Sequence, residues 1–203
     1  MKITRLDKDN KKFRVYIDEE YAFCLFYKEL KRFNIEIEGE ITEDCLERIH
    51  QEVIIKRGIQ YIYHLLAKKA YTYYELEQKM QKAGYINVII ETVLDKFLVK
   101  GFIDDLSYAK RYIESHHRNK SNTQMIYNLK NKGIKMNTIQ IALEELGLDE
   151  VEAAKKVILR RLKGNEELTS LEQNKLFKYM LNKGYKMDTI KSVLRSLNKK
   201  KGE

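Results

Sequence analysis

From residue 57 onward the chain repeats itself three times, and this repetition constrains the fold more than any other feature. The segments Met80-Gln-Lys-Ala-Gly84-Tyr85, Leu129-Lys-Asn-Lys-Gly133-Ile134 and Met180-Leu-Asn-Lys-Gly184-Tyr185 share one pattern. Each has an apolar residue four before a glycine and another directly after it. The glycines are 49 and 51 residues apart. Downstream the match continues at offsets 6, 9, 10 and 13, with Ile90, Val93, Leu94 and Phe97 in the first copy. The second copy has Ile139, Ala142, Leu143 and Leu146, and the third Ile190, Val193, Leu194 and Leu197. Those offsets trace one face of a helix of period 3.6.

A second helix precedes each glycine. Thr72-Tyr-Tyr-Glu75, Ser121-Asn-Thr-Gln124 and Thr169-Ser-Leu-Glu172 read as capping boxes that open it. Leu76 and Met80, Met125 and Leu129, and Leu176 and Met180 form its apolar stripe. The glycine ends it by taking the left-handed conformation. Asn87, Asn137 and Asp188 are expected to cap the helix that follows. A third helix opens each unit, over 59–69, 106–118 and 152–163. Gly101 and Gly147 close the preceding units, and Asp105 and Asp149 are candidate caps for the next. The spacing therefore predicts tandem three-helix repeats of about fifty residues, stacked into an elongated curved array.

The first fifty residues differ. Ile3–Leu6, Phe13–Ile17 and Tyr21–Phe26 are short β-prone runs with turn residues between them, which predicts a small N-terminal β-meander. A helix from about Thr42 leads into the array. The expected fold is mainly α, divided into 1–56, 57–105, 106–150 and 151–203. The absence of proline among 203 residues fits a helical chain.

The net charge of +9 is unevenly spread. Residues 151–203 hold 14 basic and 6 acidic residues, whereas 1–56 hold 11 and 13. The last repeat, with its Lys199-Lys200-Lys201 tail, is thus the best candidate for contact with phosphates or an acidic protein surface. A solvated helix face with a frayed tail accounts for the same charge.

Catalytic patterns are missing. The chain has no Gly-rich phosphate loop, GxSxG or HExxH. His116-His117 are adjacent and point about 100° apart on a helix, which disfavours a shared metal. His50 and His64 are expected in the core or at its boundary. The carboxylate pairs Glu144-Glu145 and Glu166-Glu167 have no partner base nearby. Tyr61, Tyr63, Tyr71, Tyr73 and Tyr74 either fill gaps between helices or, with Lys68 and Lys69, stack single-stranded bases. Cys24 and Cys45 form no CxxC pair and read as reduced thiols. No apolar run approaches the ~18 residues of a membrane span. The N-terminus lacks a signal-peptide core, so a cytoplasmic location is expected.

From about Arg57 to Asn198 the chain resembles the RecX family, regulators of the RecA recombinase. Its most specific segment is Gly101-Phe102-Ile103-Asp104-Asp105 followed by Tyr108-Ala109. Glu75-Leu76 leading to Gly84-Tyr85, and Leu129-Lys-Asn-Lys-Gly133-Ile134 followed by Ile139 and Ala142-Leu143, are similar to further family segments. Asp18-Glu19-Glu20-Tyr21-Ala22 resembles the N-terminal extension of the Gram-positive branch. At Asn122-Thr123-Gln124-Met125 the family often has a glycine followed by basic residues; here Arg118, Lys120, Lys130 and Lys132 are the nearby cations.

The resemblance implies a non-enzymatic regulator without cofactor, metal or small-molecule substrate. Its implied partners are the RecA filament and DNA, contacted directly or through RecA, with no membrane. It implies that the protein lies along the filament groove and dampens ATP hydrolysis, strand exchange and coprotease activity. The candidate contact residues are Arg111, Arg118, Lys130 and Lys132 in the middle repeat, and Arg160, Arg161, Lys163 and Lys183 in the last. A stand-alone nucleic-acid-binding helical module is the alternative, and an enzyme the third possibility.

Overall fold

A computed structural model describes residues 1–162 and 169–199. Residues 163–168, with Lys163 and Glu166-Glu167, and residues 200–203, with Lys200-Lys201, lie outside the described residues. The chain divides into two compact units, Met1–Ile103 and Asp104–Glu203.

The first unit opens with an antiparallel meander of β1 (Ile3–Asp9), β2 (Lys12–Ile17) and β3 (Glu20–Phe26), in the order β1-β2-β3. Asp18 and Glu19 both take positive φ, the turn geometry whose twist matches that of a hairpin. Period-2 alternation then sorts the side chains. Ile3, Val15, Ile17, Phe23 and Leu25 are buried on one face. The pairs Arg14–Cys24 and Lys12–Phe26 stand on the other.

Sequence reading missed the short helix α1 (Tyr27–Arg32). The Glu29 carboxylate accepts from the Phe26 N–H at 2.7 Å and also receives Arg57, so a tertiary ion pair supports this turn.

The connecting helix begins as expected: Thr42 accepts from the Cys45 N–H and caps α2 (Glu43–Ile49). It does not stop before repeat 1. A π-helical segment (His50–Ile54) joins it to α3 (Ile55–Leu66) without a break. Val53, Ile54 and Ile55 are all buried there, and the wider turn lets consecutive apolar residues face the core. The helix expected to start at Ile59 thus starts four residues earlier and contains Gly58. That glycine is a packing residue rather than a breaker. A Cβ on it would lie 3.0 Å from Val93 Cγ2 and 3.3 Å from Met80 Cε.

Repeat 1 continues with α4 (Tyr73–Lys82) and α5 (Asn87–Val99). In the second unit, α6 (Asp105–His116), α7 (Asn122–Asn131) and α8 (Met136–Leu146) form repeat 2. Repeat 3 comprises α9 (Glu150–Leu162), α10 (Ser170–Asn182) and α11 (Met187–Lys199). Mainly helical tandem trios behind a small sheet are therefore what the chain forms.

The three glycine turns are built alike. Gly84, Gly133 and Gly184 have φ of +84°, +78° and +80°. After each, the next N–H bonds back to the carbonyl five residues earlier: Tyr85 to Met80, Ile134 to Leu129 and Tyr185 to Met180, at 3.1, 3.2 and 3.1 Å. This is the Schellman closure, and its apolar flanks explain the repeated pattern. Met80, Leu129 and Met180 are fully buried, as are Ile139, Ala142, Ile190 and Val193.

The cap assignments need correction at four helices. Asn87 is the first residue of α5, while Asn137 and Asp188 are the second residues of α8 and α11. The N-cap positions of α5 and α8 are Ile86 and Lys135, neither of which makes a side-chain cap bond. The capping position two residues after the glycine is thus filled by a side chain that accepts no backbone N–H in α5 and α8. Asp104, not Asp105, caps α6, because its carboxylate accepts from the Ser107 N–H at 2.9 Å. That bond holds the Asp104 carboxyl below its usual range. Thr72 and Thr169 form the full reciprocal boxes with Glu75 and Glu172, and Ser121 accepts from the Gln124 N–H. Asp149 accepts from the Val151 N–H at the start of α9.

The histidine assignment also divides. His50 is half-buried, edge-on to Phe23, and burial lowers its pKa. His64 instead faces solvent, because it lies on the side of α3 opposite Ile62 and Leu65. Among the five first-repeat tyrosines, Tyr61, Tyr71 and Tyr73 pack against the core, whereas Tyr63 and Tyr74 are exposed. Both cysteines are free thiols.

Candidate partner-binding surface

The second unit concentrates charge. Residues 104–203 contain 21 basic and 13 acidic residues, against 18 and 17 in residues 1–103. Where the cations of the second unit sit follows from how repeats 2 and 3 meet.

The meeting is polar. The Ser121 hydroxyl, fully buried, donates to the Lys183 carbonyl at 2.7 Å while accepting from Gln124. The Glu150 carboxylate, at the start of α9, accepts from the Asn122 N–H at 2.8 Å and so serves the first turn of α7. Gly184 packs against Ser121 and Thr123, since an added Cβ would lie 2.9 Å from Ser121 Oγ. Tyr185 is buried beside this joint, and burial pushes its phenol up to about 12, with Glu150 adding to the effect.

Around the joint, cations rest on tyrosine rings. Arg161 lies 4.0 Å from the Tyr179 centroid, and Lys183 faces the same ring at 5.8 Å. Arg160 donates to the Asn119 side-chain oxygen. Asn119 stands between Arg118 and Lys120 in the turn after α6. Lys120 donates to the Tyr112 hydroxyl at 2.9 Å, and Tyr112 stacks on His116 with centroids 4.1 Å apart. Among the described residues, no ion pair holds Arg118, Arg160, Arg161 or Lys183. A tyrosine face orients a cation without neutralising it, at about 0.5–1 kcal/mol for an exposed pair. The positive charge therefore stays available to an anionic partner.

The candidate residues separate accordingly. Arg161 and Lys183 share the Tyr179 ring, and Arg160 reaches Asn119 across the joint; Arg118 precedes Asn119 in the chain and is exposed. Lys132 lies 5.4 Å from the Tyr108 ring, and Arg111 donates to the Ser107 carbonyl on its own helix, both toward the other end of α6. Lys130 is exposed on α7. Lys163 is outside the described residues. Sequence reasoning missed Tyr112, Asn119 and Tyr179 and left Lys120 off the candidate set. The i,i+4 spacings Tyr112–His116 and Tyr179–Lys183 were the available signal.

Among the described residues, no group of three His, Cys, Asp or Glu side chains could hold a metal ion. No described helix is long and apolar enough to cross a membrane.

Fold and surface together define a tandem helical-repeat protein whose Arg160, Arg161 and Lys183, among the described residues, have no ion pair. No protein-family model matches the chain. The regulatory protein RecX of Clostridium tetani is 29% identical over 203 residues, which cover 97% of this chain and 94% of the relative. That of Caldanaerobacter subterraneus subsp. tengcongensis is 26% identical over 197 residues, covering 96% and 98%. Two solved structures share the fold. A crystal structure of regulatory protein RecX aligns with a TM-score of 0.66 at 20% identity, covering 96% of this chain and all of that one. RecX from Lactobacillus salivarius aligns with a TM-score of 0.65 at 24% identity, covering 71% and 96%. With relatives of one name spanning nearly its whole length, the chain belongs to the RecX family of regulatory proteins.

Proposed function

We propose that this protein binds the RecA recombinase filament on DNA and dampens its ATP hydrolysis, strand exchange and coprotease activity. It would act in the cytoplasm, in recombination, DNA repair and the SOS response. The observation that carries this reading is the cationic face at the joint of repeats 2 and 3. Arg118, Arg160, Arg161 and Lys183 carry the main contacts, with Arg111, Lys130, Lys132 and Lys163 extending them. In this reading the segments 57–105, 106–150 and 151–203 follow successive protomers, and several modest contacts add up to avidity. The protein itself catalyses nothing.

The test adds the purified chain to RecA on single-stranded DNA and follows ATP hydrolysis. Hydrolysis is expected to fall with added protein, and Arg160→Ala with Arg161→Ala is expected to raise the half-effective concentration about tenfold, roughly one charge-assisted contact. Unchanged hydrolysis at saturating protein would exclude this reading.

A second reading is favoured by the Arg161–Tyr179–Lys183 group, since aromatic rings beside cations suit single-stranded bases. In that case DNA binding is steeply salt-dependent and RecA hydrolysis is untouched.

A further inference from the structure

The outer face of the N-terminal sheet carries chemistry that the RecA reading leaves unused. This face and the start of repeat 1 wall a cleft of about 420 Å³, within the usual range for small-ligand pockets. Four cations line it, Lys12, Arg14, Arg57 and Lys82, against one carboxylate, Asp9. Arg14 already occupies Asp9 at 2.8 Å, and Arg57 is occupied by Glu29 at 2.7 Å. Lys12 and Lys82 are exposed and have no ion pair among the described residues; Lys12 lies over the Phe26 ring instead. The cleft therefore holds two cations that no carboxylate balances.

Its other walls are aromatic. Tyr16, Tyr21 and Tyr85 line it. The Tyr21 hydroxyl donates to the Gly84 carbonyl at 2.7 Å, which ties the sheet to the glycine turn of repeat 1 and fixes the spacing of the two walls. Burial raises the phenols of Tyr21 and Tyr85, so neither adds negative charge.

We propose that this cleft binds a mononucleotide, its phosphate between Lys12 and Lys82 and its base against a tyrosine face. Free phosphate would use the cations alone. An extended acidic peptide would make little use of the tyrosine walls. A ring joined to a phosphate uses both kinds of wall. The proposal is independent of the RecA reading, because it concerns the first unit and needs no partner protein.

The test uses the full chain and three probes: ADP, adenosine and inorganic phosphate. Calorimetry at low salt is expected to show saturable ADP binding, at least tenfold tighter than either fragment. Cys24 lines the cleft, whereas Cys45 does not. Bound ADP is therefore expected to slow maleimide alkylation of Cys24 several-fold and leave Cys45 unchanged, read by peptide mass spectrometry. Lys12→Ala and Lys82→Ala, both at exposed positions, are each expected to weaken ADP about tenfold, or about 1.4 kcal/mol. The proposal is overturned by absence of saturable binding at millimolar ADP. It is equally overturned if phosphate alone binds as tightly, if both lysine variants bind normally, or if only an oligonucleotide binds.

Discussion

Residues 1–103 bury their apolar side chains in one continuous cluster shared by the sheet and repeat 1. Residues 104–203, as described, bury theirs in two clusters, one for each repeat. The first unit joins its parts through hydrophobic contact: Phe23 and Leu25 of the sheet share a core with Ile62, Leu76 and Leu94 of the repeat. The second joins its parts through Ser121–Lys183, Asn122–Glu150 and Arg160–Asn119. A non-directional hydrophobic joint tolerates substitution of one hydroxyl, whereas a hydrogen-bonded joint depends on each partner. The same difference leaves the second unit's cations outside any core.

The largest test of this contrast is Leu129→Ala. This buried residue closes the glycine turn of repeat 2, and its truncation is expected to cost about 3 kcal/mol. Because the second unit has its own cores, thermal unfolding is expected to split, with the 104–203 transition falling and the 1–103 transition staying in place. One transition that moves as a whole would break the contrast.

Ser121→Ala comes next. It removes both a helix cap and the bond to Lys183, so a loss of about 1–2 kcal/mol is expected. Amide exchange should speed at Tyr185 of repeat 3 as well as at Gln124 of repeat 2. Exchange changes confined to repeat 2 would show that the joint does not couple the repeats.

In the first unit, Gly58→Ala sets two effects against each other. Alanine favours the helix by about 0.5–1 kcal/mol, whereas crowding Val93 and Met80 costs about 1–3 kcal/mol. A net destabilisation of about 1 kcal/mol by urea denaturation is expected. A stabilised variant would mean the interface yields.

The smallest effect is the pH response. Burial lowers the pKa of His50 from its ordinary 6.5. The unfolded chain therefore takes up its proton first as pH falls. The stability His50 contributes is full above about 6.5 and declines as pH drops toward its lower folded pKa. Denaturation curves at pH 7.5 and 5.5 should show this loss in the native protein and less of it in His50→Gln.

Much of the helical layout was legible because helix period and turn chemistry are local. Gly84, Gly133 and Gly184, with apolar residues on either side, specify a left-handed stop and the closure over it wherever the chain goes afterwards. Thr72 and Thr169 with their glutamates likewise need only their own neighbours. The caps failed where a local rule had no local answer. Asn87 and Asn137 look like caps, but both fall inside their helices, and Ile86 and Lys135 occupy the cap positions. The start of α3 was missed for the opposite reason: the helix was expected from residue 59, and only the approach of Val93 and Met80 shows Gly58 inside it as a packing site. The candidate surface was half legible. Charge counting pointed to the last repeat, but which cations meet, and on which tyrosines, depends on contacts such as Arg160–Asn119 across 41 residues.

What the sequence by itself determined was the three-fold helical trio, the sheet ahead of it and the end of the chain on which positive charge accumulates. These depend on periodicity, backbone conformation and composition, each expressed within a few turns of chain. Only the tertiary structure decided that the sheet fuses with repeat 1, that repeats 2 and 3 meet through hydrogen bonds, and that Tyr112, Asn119 and Tyr179 hold cations there. Such contacts join residues far apart in the chain, and geometry between distant segments leaves no period to read.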